Sequence, residues 1–200
     1  MAYLSSDVRR EKIIDAAVEV IASEGLARAT TRRIAERADA PLGSLHYCFR
    51  NKDELIESVL ARAVATMEAS FEEIHPEEGF EATLRASVAA YWQWIQRDLG
   101  LHLALFELLI WTIRRGEHGT KLYREANEPF GGQLIRSALE RAAERDSFTP
   151  AVSIDETVRF LLHRFDGLVF EFAESRDVAG CQRQTELLAQ ALLCISGATP

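Results

Sequence analysis

Glycine and proline are sparse in this 200-residue chain, 11 and 5 respectively, and they separate long segments whose apolar residues recur three and four positions apart. That spacing lines one face of an α-helix, and no stretch shows the sustained alternation, flanked by hairpin turns, that a strand requires. The chain is therefore expected to be all-α. Ile14, Ala17, Val18 and Ile21 mark the inner face of a first helix over about residues 7–24, which Gly25 can end as a left-handed cap. Thr30 or Thr31 offers an N-cap hydroxyl to a second helix of about two turns, with Ile34, Ala35 and Ala38 on its apolar side. Asp39 tolerates a left-handed turn, and Pro41 suits the first position of a third short helix, LGSLHYCF. Asn51 then caps a long fourth helix, and further helices are expected at about 79–98, 101–115, 121–146, 154–176 and 180–197.

A hydrophobic content of 48% suits a packed core. No apolar run approaches the roughly 18 residues of a membrane helix, and the N-terminus passes straight into charged residues without a signal-peptide core, so a cytoplasmic protein without a membrane partner is expected. Cys48, Cys181 and Cys194 are odd in number and widely spaced, which suggests neither a disulfide framework nor a metal site; they read as ordinary thiols. The net charge of −8 is unevenly placed: residues 1–52 carry nine Lys/Arg against seven Asp/Glu, and residues 53–200 carry fourteen against twenty-four. Only the N-terminal part favours a phosphate backbone.

Two short helices joined by a tight turn and braced by a longer first helix form the sequence pattern of a helix-turn-helix. Leu45 and Phe49, at i and i+4, would anchor the third helix to the core. Its other face carries Ser44, His46 and Tyr47, hydrogen-bonding side chains suited to a major groove, with Arg32, Arg33, Arg50 and Lys52 around them for phosphates.

The segment TTRRIAERADAPLGSLHYCFRNKDELI resembles the DNA-binding signature of TetR-type regulators, a likeness that covers roughly residues 8–60. It rests on the Thr-Thr entry, Ile34-Ala35, Ala38, Gly43-Ser44-Leu45, Tyr47, Phe49 and Lys52-Asp53-Glu54-Leu55 in the expected order. The resemblance implies a helix-turn-helix DNA-binding domain over residues 1–52 and a helical ligand-sensing and dimerisation domain over 53–200. It implies that Tyr47, Lys52, Thr30 and Thr31 contact phosphates, and that Leu42, Gly43, Ser44 and His46 face the bases. The function so implied is steric repression by a homodimer on palindromic double-stranded operator DNA, relieved by a small, apolar or aromatic inducer, with no cofactor and no catalysis. Asp39, Pro41 and His46 depart from the usual pattern, which leaves the turn intact but not the base preference.

Two other classes stand beside this one. An enzyme would need a catalytic signature, and HExxH, a P-loop, GxGxxG and GxSxG are all missing. A helical interaction module without DNA contact would not depend on Tyr47 and Lys52.

The remaining expectations concern residues 53–200. LHLALFELLIWTI is apolar almost all round, so Glu107 within it needs a partner, an interface or a polar pocket. Arg159, His163 and Asp166 share one stripe, ordinarily an ion-pair ladder. Leu161, Leu162, Phe165, Leu168, Val169 and Phe172 on one helix, and Leu187, Leu188, Ala191, Leu192 and Ile195 on the next, offer more apolar surface than one subunit easily buries and are assigned to the dimer interface. An inducer pocket is expected among Trp92, Ile95, His102, Phe106, Trp111, Tyr123, Phe130 and His163, with Glu107 and Asp166 as polar contacts; plain core packing is the rival reading of each. The acidic body favours a cationic ligand over an anionic one.

Overall fold

The computed structural model describes residues 6–71, 78–116 and 131–198, so Tyr123 and Phe130 lie outside the described residues. Among these residues there are nine helices and no strand. They are α1 (Ser6–Glu24), α2 (Thr31–Arg37), α3 (Leu42–Cys48), α4 (Lys52–Phe71), α5 (Phe80–Arg97), α6 (Leu99–Arg114), α7 (Gly131–Asp146), α8 (Ile154–Ser175) and α9 (Val178–Ser196). The chain forms two compact units, one from Met1–Ala63 with Gly100–Asn127 and one from Val64–Leu99 with Glu128–Pro200.

In the first unit α1 packs on both α2 and α3. Ile13, Ala17, Val20 and Ile21 of α1 meet a core completed by Ile34, Leu45, Phe49, Ile56 and Leu60, all buried. Gly25 ends α1 at φ +82°, where its N–H donates to Ile21 C=O at 3.0 Å; a side chain there would be strained. Thr30 is the N-cap of α2, its hydroxyl accepting Arg33 N–H at 3.2 Å. The turn into α3 closes with Asp39 at φ +47° and Ala40 N–H returning to Ala35 C=O at 3.0 Å. Pro41 is the N-cap of α3, one position earlier than expected, because its ψ of 139° is still extended. Asn51 caps α4 by accepting Glu54 N–H at 2.8 Å.

In the second unit α5 is the central element, in contact with α7, α8 and α9. Leu84, Val88, Trp92 and Ile95 of α5 pack with Ile135 and Leu139 of α7, Leu161, Phe165 and Val169 of α8, and Leu192 of α9 in the buried core. Tyr91 stacks on Phe165 at 4.3 Å between centroids and meets Phe71 and Trp94 edge-on at 6.3 and 5.3 Å. Trp92 meets Phe172 edge-on at 5.1 Å.

That core takes in much of the surface expected to form the dimer. Leu161, Phe165, Leu168, Val169, Phe172 and Leu192 are buried inside their own unit, because the amphipathic α8 turns its apolar stripe toward the core around α5. Leu162 and Leu188 are half-buried, and Leu187, Ala191 and Ile195 are exposed. Phe160, exposed on α8, lines a shallow groove between α8 and α9 with Arg164, Gly167, Leu187, Leu188 and Ala191.

Candidate nucleic-acid interface

A seven-residue helix has little intrinsic stability, so α3 depends on its anchors. Leu45 and Phe49 are each 2% exposed and fix the inner side. The opposite side leaves Leu42 43% and Tyr47 76% exposed, with Gly43 and His46 also in solvent and Ser44 half-buried. A Cβ added at Gly43 would meet nothing within 4 Å, so the protein's own packing does not require glycine there. This face presents a methyl-bearing chain, an imidazole, a phenol and a hydroxyl on one short helix, a mixture that can read base edges and hold a phosphate.

The cations around this face differ in how exposed their contacts within the protein leave them. Arg33 donates from both Nε and Nη2 to Glu24, the shortest contact 2.7 Å, and Arg37 reaches Glu19 at 3.2 Å and Glu24 at 3.4 Å. The Arg33 bond holds the Glu24 carboxyl below its usual range, and Arg33 is raised in return. Arg32 pairs with Glu36 at 3.1 Å yet is largely exposed, as is Arg50 beside Glu54. Thr30 is exposed and Thr31 half-buried, and a shallow depression joins Thr30, Arg28, Arg32 and Arg33. Lys52 is half-buried, its ammonium donating to Leu26 C=O at 3.3 Å; burial first, and Arg115 second, pull its pKa down.

Three basic residues of α1 were missed in the sequence. Arg9 and Lys12 of α1 line a small recess of about 80 Å³ with Asp39, Pro41 and Ser44, beside the start of α3. Arg10 donates to Cys48 C=O at 2.6 Å and to Ser58 Oγ at 2.8 Å, and its guanidinium lies 4.3 Å over the Phe49 ring. Arg10 thereby ties the end of α3 to α4. Basic residues on an exposed helical face carry no sequence mark of such partners.

The expected inducer contacts are distributed between the units. Trp92 and Ile95 are core residues of the second unit, where His163 and Asp166 are exposed on α8. Desolvation raises the Asp166 carboxyl and His163 partly offsets it. His102 is buried in the first unit, Phe106 and Trp111 are half-buried there, and Glu107 is exposed and accepts Leu26 N–H at 3.3 Å. Glu107 therefore has a partner, one of the outcomes its position required. Trp111 faces Arg115 at 4.4 Å.

Known proteins share both the motif and the fold. Residues 13–59 match the bacterial regulatory proteins of the tetR family. The nicotine-responsive transcriptional repressor HdnoR of Paenarthrobacter nicotinovorans is 32% identical over 177 residues, covering 87% of this chain and 89% of that protein. FadR of Bacillus halodurans, a fatty acid degradation regulator, superposes with a TM-score of 0.73 at 21% identity, over 92% of this chain and 94% of that one. FadR of Bacillus subtilis, solved with stearoyl-CoA, does so with a TM-score of 0.71 at 18% identity, over 92% and 98%. At such identities the two structures attest the fold alone, whereas the motif and the repressor likeness concern function. No described helix is long and apolar enough to cross a membrane. With an exposed recognition face on a buried helix-turn-helix core and a matching relative along most of its length, this chain belongs to the TetR family of DNA-binding transcriptional regulators.

Proposed function

We propose that the protein is a ligand-responsive repressor that binds a palindromic operator as a homodimer, with DNA binding in residues 1–52 and ligand sensing and self-association in 53–200. The observation that carries it is the face of α3: Leu42, Gly43, His46 and Tyr47 stand in solvent over the fully anchored Leu45 and Phe49. Leu42 to His46 address base edges, while Tyr47, Thr30, Thr31 and Arg32 hold phosphates. Arg33 serves mainly to brace α2 on α1 through Glu24.

The groove between α8 and α9 supports the dimer. Phe160 is 42% exposed, Leu187 56% and Ile195 41%, and a two-fold pairing of these helices would cover them and match a two-fold operator. For the inducer, an apolar or aromatic molecule fits the nicotine-responsive name of the relative. Trp92 supports the same class: its indole N–H is buried and has no hydrogen-bond partner among the described residues, so a ligand acceptor could satisfy it. The excess of acidic residues over 53–200 favours a cationic form.

The test selects a duplex from randomised DNA with the wild-type protein and titrates variants against single-base changes in it. Tyr47→Phe weakens binding to all sequences alike, and His46→Ala changes which base is preferred. Leu187→Glu gives a monomer in sedimentation and loses tight binding. Identical base selectivity in every variant would refute the assignment of α3, and a wild-type monomer at micromolar concentration would refute the dimer.

A further inference from the structure

One side chain of α1 holds the far end of α3. The last carbonyls of a helix have no partner within it, and that of Cys48, the final residue of α3, accepts Arg10 Nη1 at 2.6 Å. The same guanidinium donates from Nη2 to Ser58 Oγ of α4 at 2.8 Å, stands 3.6 Å from Glu54 Oε1, and lies 4.3 Å over the ring of Phe49, the C-cap of α3. Its holders on α4 are themselves fixed. Ser58 Oγ donates to Glu54 C=O at 2.9 Å, and Glu54 Oε2 accepts Arg50 N–H at 2.9 Å and Arg50 Nε at 3.1 Å. Leu45 and Phe49 bury the inner side of α3, but burial has no direction and would let so short a helix roll or slide about these two anchors. The bond to Cys48 C=O supplies the direction. Tyr47, immediately before Cys48, is 76% exposed, so where its phenol stands follows from where that carbonyl is held.

We infer that Arg10, held by Ser58 and Glu54, is a positioning residue for operator binding: it sets the C-terminal end of α3 and through it the place of Tyr47. Both of its terminal nitrogens are directed at acceptors within the protein, and the flat face of the group covers the Phe49 ring. A lysine keeps the charge but not this fork. Ser58 is uncharged and half-buried, so it has no route to DNA affinity through charge and can favour binding only through the guanidinium it holds. The inference rests on the reading of α3 as the operator face.

The experiment uses the full-length protein and the duplex selected by the wild type, with affinity measured between about 50 and 200 mM salt, a range over which phosphate contacts reveal themselves by slope. Arg10→Lys should weaken binding about five- to tenfold although the charge is kept, with the wild-type salt slope retained. Ser58→Ala should weaken it about two- to threefold, and should add little once Arg10→Lys is present, because both changes release the same carbonyl. The decisive measurement pairs Arg10→Lys with Tyr47→Phe. The double variant should lose much less than the product of the two, since a phenol already displaced has less to lose; a loss of stability alone would leave the two effects independent. Wild-type binding by Arg10→Lys, or losses that multiply in full, would overturn the inference. So would an Arg10→Met slope flatter by about one, the mark of a guanidinium that meets a phosphate itself. If Arg10→Lys lost its helical circular dichroism, Ser58→Ala paired with Tyr47→Phe would decide alone: weakening that fails to multiply supports the positioning role, and wild-type binding by Ser58→Ala overturns it. Failure of the underlying reading is separate, since it would leave Tyr47→Phe without effect on binding.

Discussion

The two units hold their helices by different means. In the first, α2 and α3 are seven residues each, and polar anchors locate them: the Thr30 cap, Glu24 on Arg33 and Arg37, and Arg10 on Cys48 and Ser58. In the second, α5, α8 and α9 run 18, 22 and 19 residues and interlock through rings, with Tyr91 on Phe165 and Trp92 on Phe172. Short helices bury too little to be fixed by packing alone, so direction has to come from hydrogen bonds; long helices have area enough. A groove-reading helix, the role proposed for α3, needs its orientation set closely, and the directional contacts concentrate where α3 is placed.

The contrast breaks most sharply at Phe165. It is fully buried and stacked on Tyr91, so Phe165→Ala should cost about 3–5 kcal/mol in urea unfolding followed by circular dichroism. A loss below about 1 kcal/mol would mean that the second unit collapses around the gap and that its rings are not what hold it.

Next in size stands Arg10, whose fork joins three elements of the first unit. Arg10→Met should cost about 1–2 kcal/mol, discounted for its partial exposure, and Arg10→Lys should recover only part, because an ammonium cannot serve two directed acceptors and the Phe49 ring as a guanidinium does. Full recovery by lysine would show that charge, not direction, anchors α3.

What was legible in the sequence follows the same division. Interactions spanning a few residues were readable: Gly25 as a left-handed stop, Asp39 as a left-handed turn, the Asn51 cap, and Leu45 with Phe49 on one side of α3. The helix-turn-helix and its family came from the same local pattern. Contacts across long separations were not readable. Glu107 meets Leu26 across 81 residues and Arg10 meets Ser58 across 48, and nothing in residue type or spacing marks such a pair. Lys52 looked like a surface cation because periodicity does not reveal that a carbonyl 26 residues earlier faces it. The apolar stripe of α8 was visible, but its spacing alone does not say whether the stripe meets its own unit or a second copy; Phe165 and Val169 went inward, and Phe160 was left outside.

The smallest effect is the most specific to the comparison, because acid acts on the two units with opposite sign. In the first, Glu24 is held below the usual carboxylate range by its bond from Arg33, and Glu54 by Arg50 N–H and then the guanidinium. A folded pKa below the unfolded one gives stability that is complete above the unfolded value, about 4.3 for glutamate, and is lost as pH falls through the folded value. Asp166 in the second unit is raised, by desolvation against a partial offset from His163, so its ionised form is disfavoured in the fold and protonation relieves it. Its contribution is gained as pH falls and lost as pH rises. Urea midpoints between about pH 7 and pH 4 should therefore drop in the wild type with the carboxylates of the first unit dominant. Glu24→Gln should lower the midpoint at neutral pH and shallow the drop. Asp166→Asn should hold or raise the neutral midpoint and steepen the drop, having removed a group that works against it. A shallower drop from both variants would place Asp166 in the same class as Glu24, stabilised as an anion, and the electrostatic contrast between the two units would fail there.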